Sequence, residues 1–201
     1  MSFYTSLTGL KAAQTDLATI SNNVANVGST GFKKSRAIFG DLFASAPTQT
    51  TKMIAGQGTR LNGVTQQFTQ GTLEATDKTL DLAIAGEGMF VVRGSPPRSE
   101  VSYTRNGTFS VAVDRSVVDN VGAKLQLLPV DANGTVTSKS LAAATDFRLP
   151  QSKPGAPDVT MSNISIGTDG LVTATWADGT SSALGKIAIA RPAVPIYANI
   201  T

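Results

Sequence analysis

Ser6-Leu7-Thr8-Gly9-Leu10-Lys11-Ala12-Ala13-Gln14-Thr15-Asp16-Leu17-Ala18-Thr19-Ile20-Ser21-Asn22-Asn23-Val24-Ala25-Asn26-Val27 runs directly into Gly28-Ser29-Thr30-Gly31-Phe32-Lys33. In the first part Leu7, Leu10, Ala13, Leu17, Ile20, Val24 and Val27 recur at steps of three and four, which lays one narrow apolar stripe along a helix. The opposite face carries Lys11, Gln14, Asp16 and Thr19. The spacing is close to that of a coiled coil, and Thr5 or Ser6 is suited to cap the start. Asn22, Asn23 and Asn26 favour turn and left-handed backbone, and Gly28 and Gly31 add freedom that other residues lack, so the helix is expected to stop near Asn26. A striped helix with almost no domain around it needs a partner to cover the stripe. Packing on its own domain is the competing reading that the pattern leaves open.

Outward from there, Phe32, Ile38, Phe39, Leu42 and Phe43 form an apolar cluster, expected as a short helix or an extended arm. Residues 44–58 are rich in Thr and Gln and poor in large apolar groups, which reads as a linker or arm. Beyond it the punctuation is that of antiparallel sheet. Candidate strands Val64-Thr65-Gln66-Gln67-Phe68, Leu80-Asp81-Leu82-Ala83-Ile84, Met89-Phe90-Val91-Val92, Tyr103-Thr104-Arg105, Thr108-Phe109-Ser110-Val111 and Leu125-Gln126-Leu127-Leu128-Pro129-Val130 are separated by Gly71, Gly86-Glu87-Gly88, Asn106-Gly107 and Asn133-Gly134. After the Pro154-Gly155-Ala156-Pro157 crossing come Ile164-Ser165-Ile166, the hairpin strand Leu171-Val172-Thr173-Ala174-Thr175-Trp176, and a further strand over 182–190. Trp176 is expected as a core anchor.

The expected fold class is α+β, mainly β: an N-terminal amphipathic helix and extended arm, then an antiparallel β domain completed by a later strand segment. The corresponding divisions are 1–43 for helix, Asn/Gly loop and apolar segment, 44–62 for the linker, 63–150 and 159–190 for the two parts of the β domain, 151–158 for a short crossing, and 191–201 for a tail.

Composition narrows the function. The 201 residues are 41% hydrophobic and 15% charged, enough for one moderate core with an appended helical segment. The net charge of +3 is dispersed, and Lys33, Lys34 and Arg36 are the only tight basic cluster, without an aromatic platform or a helix-turn-helix pattern. That cluster reads as a solvated patch or an intersubunit salt-bridge donor, and no nucleic-acid partner is expected. No run approaches the length of a membrane span, and no basic region followed by an apolar run opens the chain, so neither membrane insertion nor a cleaved secretory signal is expected.

Cysteine and histidine are both absent, which removes disulfides, thiolate chemistry, the commonest general base and the commonest zinc ligand. Asp114, Asp119 and Asp131 lie on candidate turns, where Asp serves the backbone. Gly86-Glu87-Gly88 resembles a fragment of a nucleotide loop but lacks a following helix. No catalytic, cofactor or metal site is expected, and the chain reads as a non-enzyme.

Several motifs carry a family resemblance. Leu7-Thr8-Gly9-Leu10-Lys11-Ala12-Ala13, Ile20-Ser21-Asn22-Asn23-Val24-Ala25-Asn26 and Thr30-Gly31-Phe32-Lys33 resemble the N-terminus of the bacterial flagellar rod and hook proteins. VTQQFTQG (64–71), LDLAIAGEGMF (80–90) and YTRNGTFS (103–110) resemble that family's β domain, and 164–190 resembles the strand pair that re-enters it. Phe39-Gly40-Asp41-Leu42-Phe43 and the 63–68 segment are closer to the hook than to the distal rod protein.

The resemblance implies a hook subunit: exported by the flagellar type III apparatus, stacked helically with copies of itself into a hollow flexible joint, and contacting rod, hook cap and hook–filament junction proteins. It implies that Leu7, Leu10, Leu17, Ile20 and Val24 pack in an inner helical tube, with Asn22, Asn23, Asn26, Gly31, Phe32 and Lys33 at subunit contacts. Hook proteins also carry an outer β domain, where here only residues 151–158 stand, and a second long helix, where this chain ends in a proline-containing tail. The chain therefore reads as part of a longer chain or as a reduced relative. A stiff rod protein is the nearest rival, and a secreted carbohydrate-binding β module using Tyr103 and Trp176 is the rival from another class.

Overall fold

The computed structural model describes residues 2–42, 56–95, 99–131 and 133–191. The chain divides into two compact units, Met1–Gln70 and Gly71–Thr201.

In the first unit, helix α1 (Ser2–Ala25) packs against a two-stranded antiparallel hairpin, β1 (Ser35–Asp41) and β2 (Thr59–Gln66). The helix ends where the asparagines predict but starts earlier than the Thr5 or Ser6 cap. The apolar cluster after the loop resolves as a strand, in which Ala37 is the buried residue. β2 begins at Thr59, inside the segment read as a linker, and pairs with β1 in the first unit rather than opening the β domain at 63. Val64 to Gln66 lie within the strand expected at 64–68, but low apolar content hid the first half: Arg60, Asn62 and Gly63 break the alternation, and the pairing slips by one residue between Ile38 and Phe39. Phe43, most of the expected linker and the tail beyond Arg191 lie outside the described residues.

The second unit opens on an irregular stretch. Leu80-Asp81-Leu82-Ala83-Ile84, expected as a strand, forms no ladder and pairs only through an isolated bridge between Asp81 and Thr108. Then follow β3 (Met89–Arg93), β4 (Val101–Thr104), β5 (Ser110–Val111), β6 (Val117–Val118), β7 (Lys124–Leu128), β8 (Thr145–Asp146), β9 (Ser152–Lys153), β10 (Ala156–Ile166), β11 (Leu171–Trp176), β12 (Ser181–Ile187) and β13 (Ile189–Ala190).

The main sheet runs β13-β3-β7-β12-β11-β10-β9, and all its pairings are antiparallel among the described residues. The late strands complete the early ones: Ile187 stands opposite Leu127 and Ile189 opposite Phe90. The α+β class with later completion is thus what the chain adopts. The expected crossing at 151–158 is instead a hairpin, with β9 folding back on β10 around Gly155 at φ 84°.

β11 shows why these residues make a sheet. Val172, Ala174 and Trp176 are buried on one face while Leu171, Thr173 and Thr175 alternate with them. Phe90, Phe109, Leu125, Leu127, Phe147 and Ile187 fill the core, with the Phe90 and Phe109 rings edge to face at 5.4 Å. Trp176 is buried, and its Nε1 donates to the Ser182 hydroxyl at 2.9 Å.

Candidate assembly interface

Helix α1 has two unlike faces. Thr5, Thr8, Ala12, Thr15, Thr19 and Asn23 recur at three- and four-residue steps and, with Leu7, are the partly covered positions of the helix. Phe3, Leu10, Leu17 and Val24 recur every seven residues, with Ala13 and Ile20 three residues after Leu10 and Leu17. At 100° per residue the two stripes lie about 150° apart. The apolar stripe stays in solvent: Leu10 is 58% exposed, Leu17 65%, Ile20 49% and Val24 66%. Leu7 sits on its flank, half-buried.

Polar pins hold the other stripe to the hairpin. Near the helix start, the Thr8 hydroxyl donates to the Thr5 carbonyl at 2.8 Å and accepts from the Thr59 N–H at 3.3 Å. Gly58, at φ 111°, lets the chain pass this hydroxyl, since a Cβ there would stand 2.3 Å from it. Near the helix end, the Asn23 side-chain amide donates to the Ser35 carbonyl at 2.7 Å and accepts from the Ser35 N–H at 2.8 Å, the two bonds a neighbouring strand would make. Thr8 and Asn23 are about 22 Å apart along the helix, and β1 from Ser35 to Asp41 is about 20 Å long, so helix and strand match end to end.

The loop residues divide. Asn23 turns inward to Ser35. Asn26 closes the helix end, its N–H and side-chain amide both donating to the Asn22 carbonyl. Gly31 supplies a φ of 74° in the turn, Phe32 is half-buried, and the Lys33 ammonium donates to the Thr69 carbonyl at 2.8 Å. Asn22 has its side chain in solvent. Asn23 and Lys33 therefore bond within their own unit, which sequence spacing did not reveal. The signal that could have exposed the pinned face was the three-four spacing of threonines, hidden because Thr reads as polar surface.

In the second unit, two of the quoted motifs form one structure. Leu82 N–H donates to the Gly107 carbonyl at 2.9 Å, and a Cβ on Gly107 would stand 1.5 Å from the Leu82 carbonyl oxygen. The Arg105 guanidinium donates to the carbonyls of Ile84, Gly86 and Gly88, tying down the Gly86-Glu87-Gly88 bend, where φ is 97° at Gly86 and 142° at Gly88. That bend is fixed by an arginine just beyond β4 and leads into β3.

The aspartates serve turns. Asp114, Asp119 and Asp131 each accept the N–H two residues on, as do Asp169 and Asp178. The Ser116 hydroxyl and N–H, with Lys124 at 3.2 Å, hold Asp114 down to about 2. Lys153 at 2.8 Å, with the Thr180 hydroxyl and N–H, holds Asp178 down to about 2. The Leu171 N–H lowers Asp169, aided by Lys186. Among the described residues no group of acidic side chains is placed to hold a metal ion, and no helix is long and apolar enough to cross a membrane.

The chain belongs to the flagellar rod and hook family of axial proteins. The family model described as "Flagella basal body rod protein" matches residues 3–33, and "Flagellar hook protein FlgE/F/G D1 domain" matches 83–174. The first covers the helix and its Asn/Gly loop; the second covers the Arg105 clamp and the sheet as far as β11.

Among relatives, the chain is 36% identical over 167 residues to the flagellar hook protein FlgE of Escherichia coli (strain K12), covering 83% of this chain and 39% of that protein. It is 36% identical over 142 residues to the flagellar hook protein FlgE of Helicobacter mustelae, covering 62% and 30%. It is 35% identical over 156 residues to the flagellar basal-body rod protein FlgG of Buchnera aphidicola subsp. Baizongia pistaciae, covering 72% and 59%. The chain thus spans about two fifths of the length of the Escherichia coli hook protein.

Proposed function

We propose that this chain is a structural subunit of the bacterial flagellar hook, outside the cell after export, which stacks helically with copies of itself to transmit torque between rod and filament. The observation that carries this reading is the bare apolar seam of α1. Phe3, Leu10, Leu17, Ile20 and Val24 face water while the opposite stripe is pinned to the chain's own hairpin. Exposed leucines at coiled-coil spacing gain most by meeting the same seam on another copy.

In this reading Leu7, Leu10, Leu17, Ile20 and Val24 form the helix contact. Asn22, Gly31 and Phe32 border a neighbour, while Asn23, Asn26 and Lys33 shape the loop that presents them. The partners are other copies, then rod, hook-cap and hook–filament junction proteins at the two ends, with the flagellar type III apparatus as export route. The role is mechanical: no cofactor and no catalysis enter it, nor does nucleic acid or membrane insertion.

The rod reading is kept because a rod protein is matched over 59% of its length, a larger share than in the hook relatives. Electron microscopy of the full chain at rising concentration tests both. Curved tubes support the hook and straight stiff rods support the rod reading. A monomer at every concentration, with the seam exposed to protease throughout, overturns both.

A further inference from the structure

Charge is unevenly shared along this chain. Residues 1–70 carry six Lys or Arg against two Asp, whereas 71–201 carry eleven against twelve acidic residues. In the first unit the excess gathers on one side of the hairpin. Strand alternation places Arg36 and Ile38 on the face opposite buried Ala37, and Arg60, paired with Gly40, falls on that same face. Lys34 continues the alternation one step before β1, where its carbonyl accepts from Gln67 N–H at 2.9 Å. Lys34, Arg36 and Arg60 are exposed, and none enters a salt bridge among the described residues.

The acidic counterpart lies at the opening of the second unit. Glu74, Asp77 and Glu87 are exposed and likewise enter no salt bridge among the described residues. The turn aspartates Asp114, Asp169 and Asp178, by contrast, are engaged by Lys124, Lys186 and Lys153.

We propose that the basic outer face of the hairpin, Lys34, Arg36 and Arg60, docks the acidic segment of a second copy, Glu74, Asp77 and Glu87. This rests on the polymer reading and adds to it a second contact, made by residues outside the helix seam and of opposite chemistry. One chain carrying both halves of a complementary pair makes a heterologous contact, in which each copy gives one surface and receives on the other. Such contacts propagate into helical filaments instead of closing into dimers. Exposed pairs contribute little each and are weakened by salt, so this contact sets register and direction while the seam supplies most of the adhesion.

The test uses the full chain and two charge-reversed forms, each first shown by circular dichroism and thermal melting to fold like the parent. One carries Lys34→Glu, Arg36→Glu and Arg60→Glu; the other carries Glu74→Lys, Asp77→Lys and Glu87→Lys. Light scattering and sedimentation should show that the parent needs about tenfold more protein to assemble when salt rises from about 0.05 to about 0.5 M. Each reversed form alone should assemble poorly at low salt, and an equimolar mixture of the two should assemble again. Assembly of either form like the parent overturns the proposal. So does recovery only in a further form that carries all six reversals in one chain, while the mixture stays dispersed, since the pairing is then internal. If the parent itself never assembles at any salt, the polymer reading has failed first; if it assembles and the reversals change nothing, only the charged contact has.

Discussion

Leu17→Ala separates the seam from the rest of the fold. Leu17 is 65% exposed on the free chain, so most of its side chain is still available for burial against a neighbour. Full burial of a leucine is worth about 1.5–3 kcal/mol, and truncation to alanine removes the larger part of what the contact would gain, leaving a loss of about 1–1.5 kcal/mol. That corresponds to a rise of about 5- to 15-fold in the concentration at which assembly begins. The same substitution touches no covered position, so the stability of the dispersed chain should change by no more than the about 0.5 kcal/mol expected of surface changes, leaving its melting temperature nearly unmoved. Sedimentation across a concentration series, paired with thermal melting at the lowest concentration, reads both quantities. An unchanged assembly threshold would refute the seam as the subunit contact. A lowered melting temperature with an unchanged threshold would show that Leu17 packs on its own chain.

Asn23→Ala removes both bonds to Ser35 and should cost the first unit about 1–3 kcal/mol, seen as faster hydrogen exchange at the Ser35 amide, while Asn22→Ala leaves that amide unchanged. Gly107→Ala drives a methyl into the Leu82 carbonyl and should destabilise the second unit by more than about 4 kcal/mol in a thermal melt. The lowered carboxylates set the acid limb of stability. Asp114 and Asp178 sit at about 2 and Asp169 is also lowered, so the stability they give is complete above the unfolded carboxylate value and is lost as pH falls from about 4 through about 2. Melting temperature should therefore be level from neutral pH down to about 5 and fall below about 4, with a shallower fall in Asp178→Asn.

The β domain was legible where burial is one-sided and periodic. Leu171-Val172-Thr173-Ala174-Thr175-Trp176 alternates and folds as β11 over the residues expected. Leu80-Asp81-Leu82-Ala83-Ile84 alternates equally well yet forms a single bridge, because a side-chain clamp replaces ladder bonding there: Arg105 takes the carbonyls of Ile84, Gly86 and Gly88. Local pattern does not encode a bond from an arginine some twenty residues on. The first half of β2 was missed for the converse reason, its second half falling within the strand expected at 64–68. Its pairing rests on backbone bonds to β1 and on the helix laid across the hairpin, so Thr59-Arg60-Leu61-Asn62 need not alternate to be a strand.

The helix combines both cases. Its apolar stripe was plain in the spacing of Leu10, Leu17 and Val24, which are exposed among the described residues. The stripe that docks on the hairpin was not plain, since Thr5, Thr8, Ala12, Thr15, Thr19 and Asn23 include no large apolar group. Yet this poverty keeps the other stripe free. Were Thr8 and Thr15 leucines, the helix would have two greasy faces competing for one hairpin, and nothing would fix which of them stays outside. Holding the helix by the Thr8 hydroxyl and the Asn23 amide makes docking specific in rotation, because only one face carries groups that meet the Thr59 N–H and the Ser35 peptide. The hydrogen bonds contribute modestly to adhesion and decisively to orientation. What they orient is the apolar row of Phe3, Leu10, Leu17, Ile20 and Val24, turned outward into solvent.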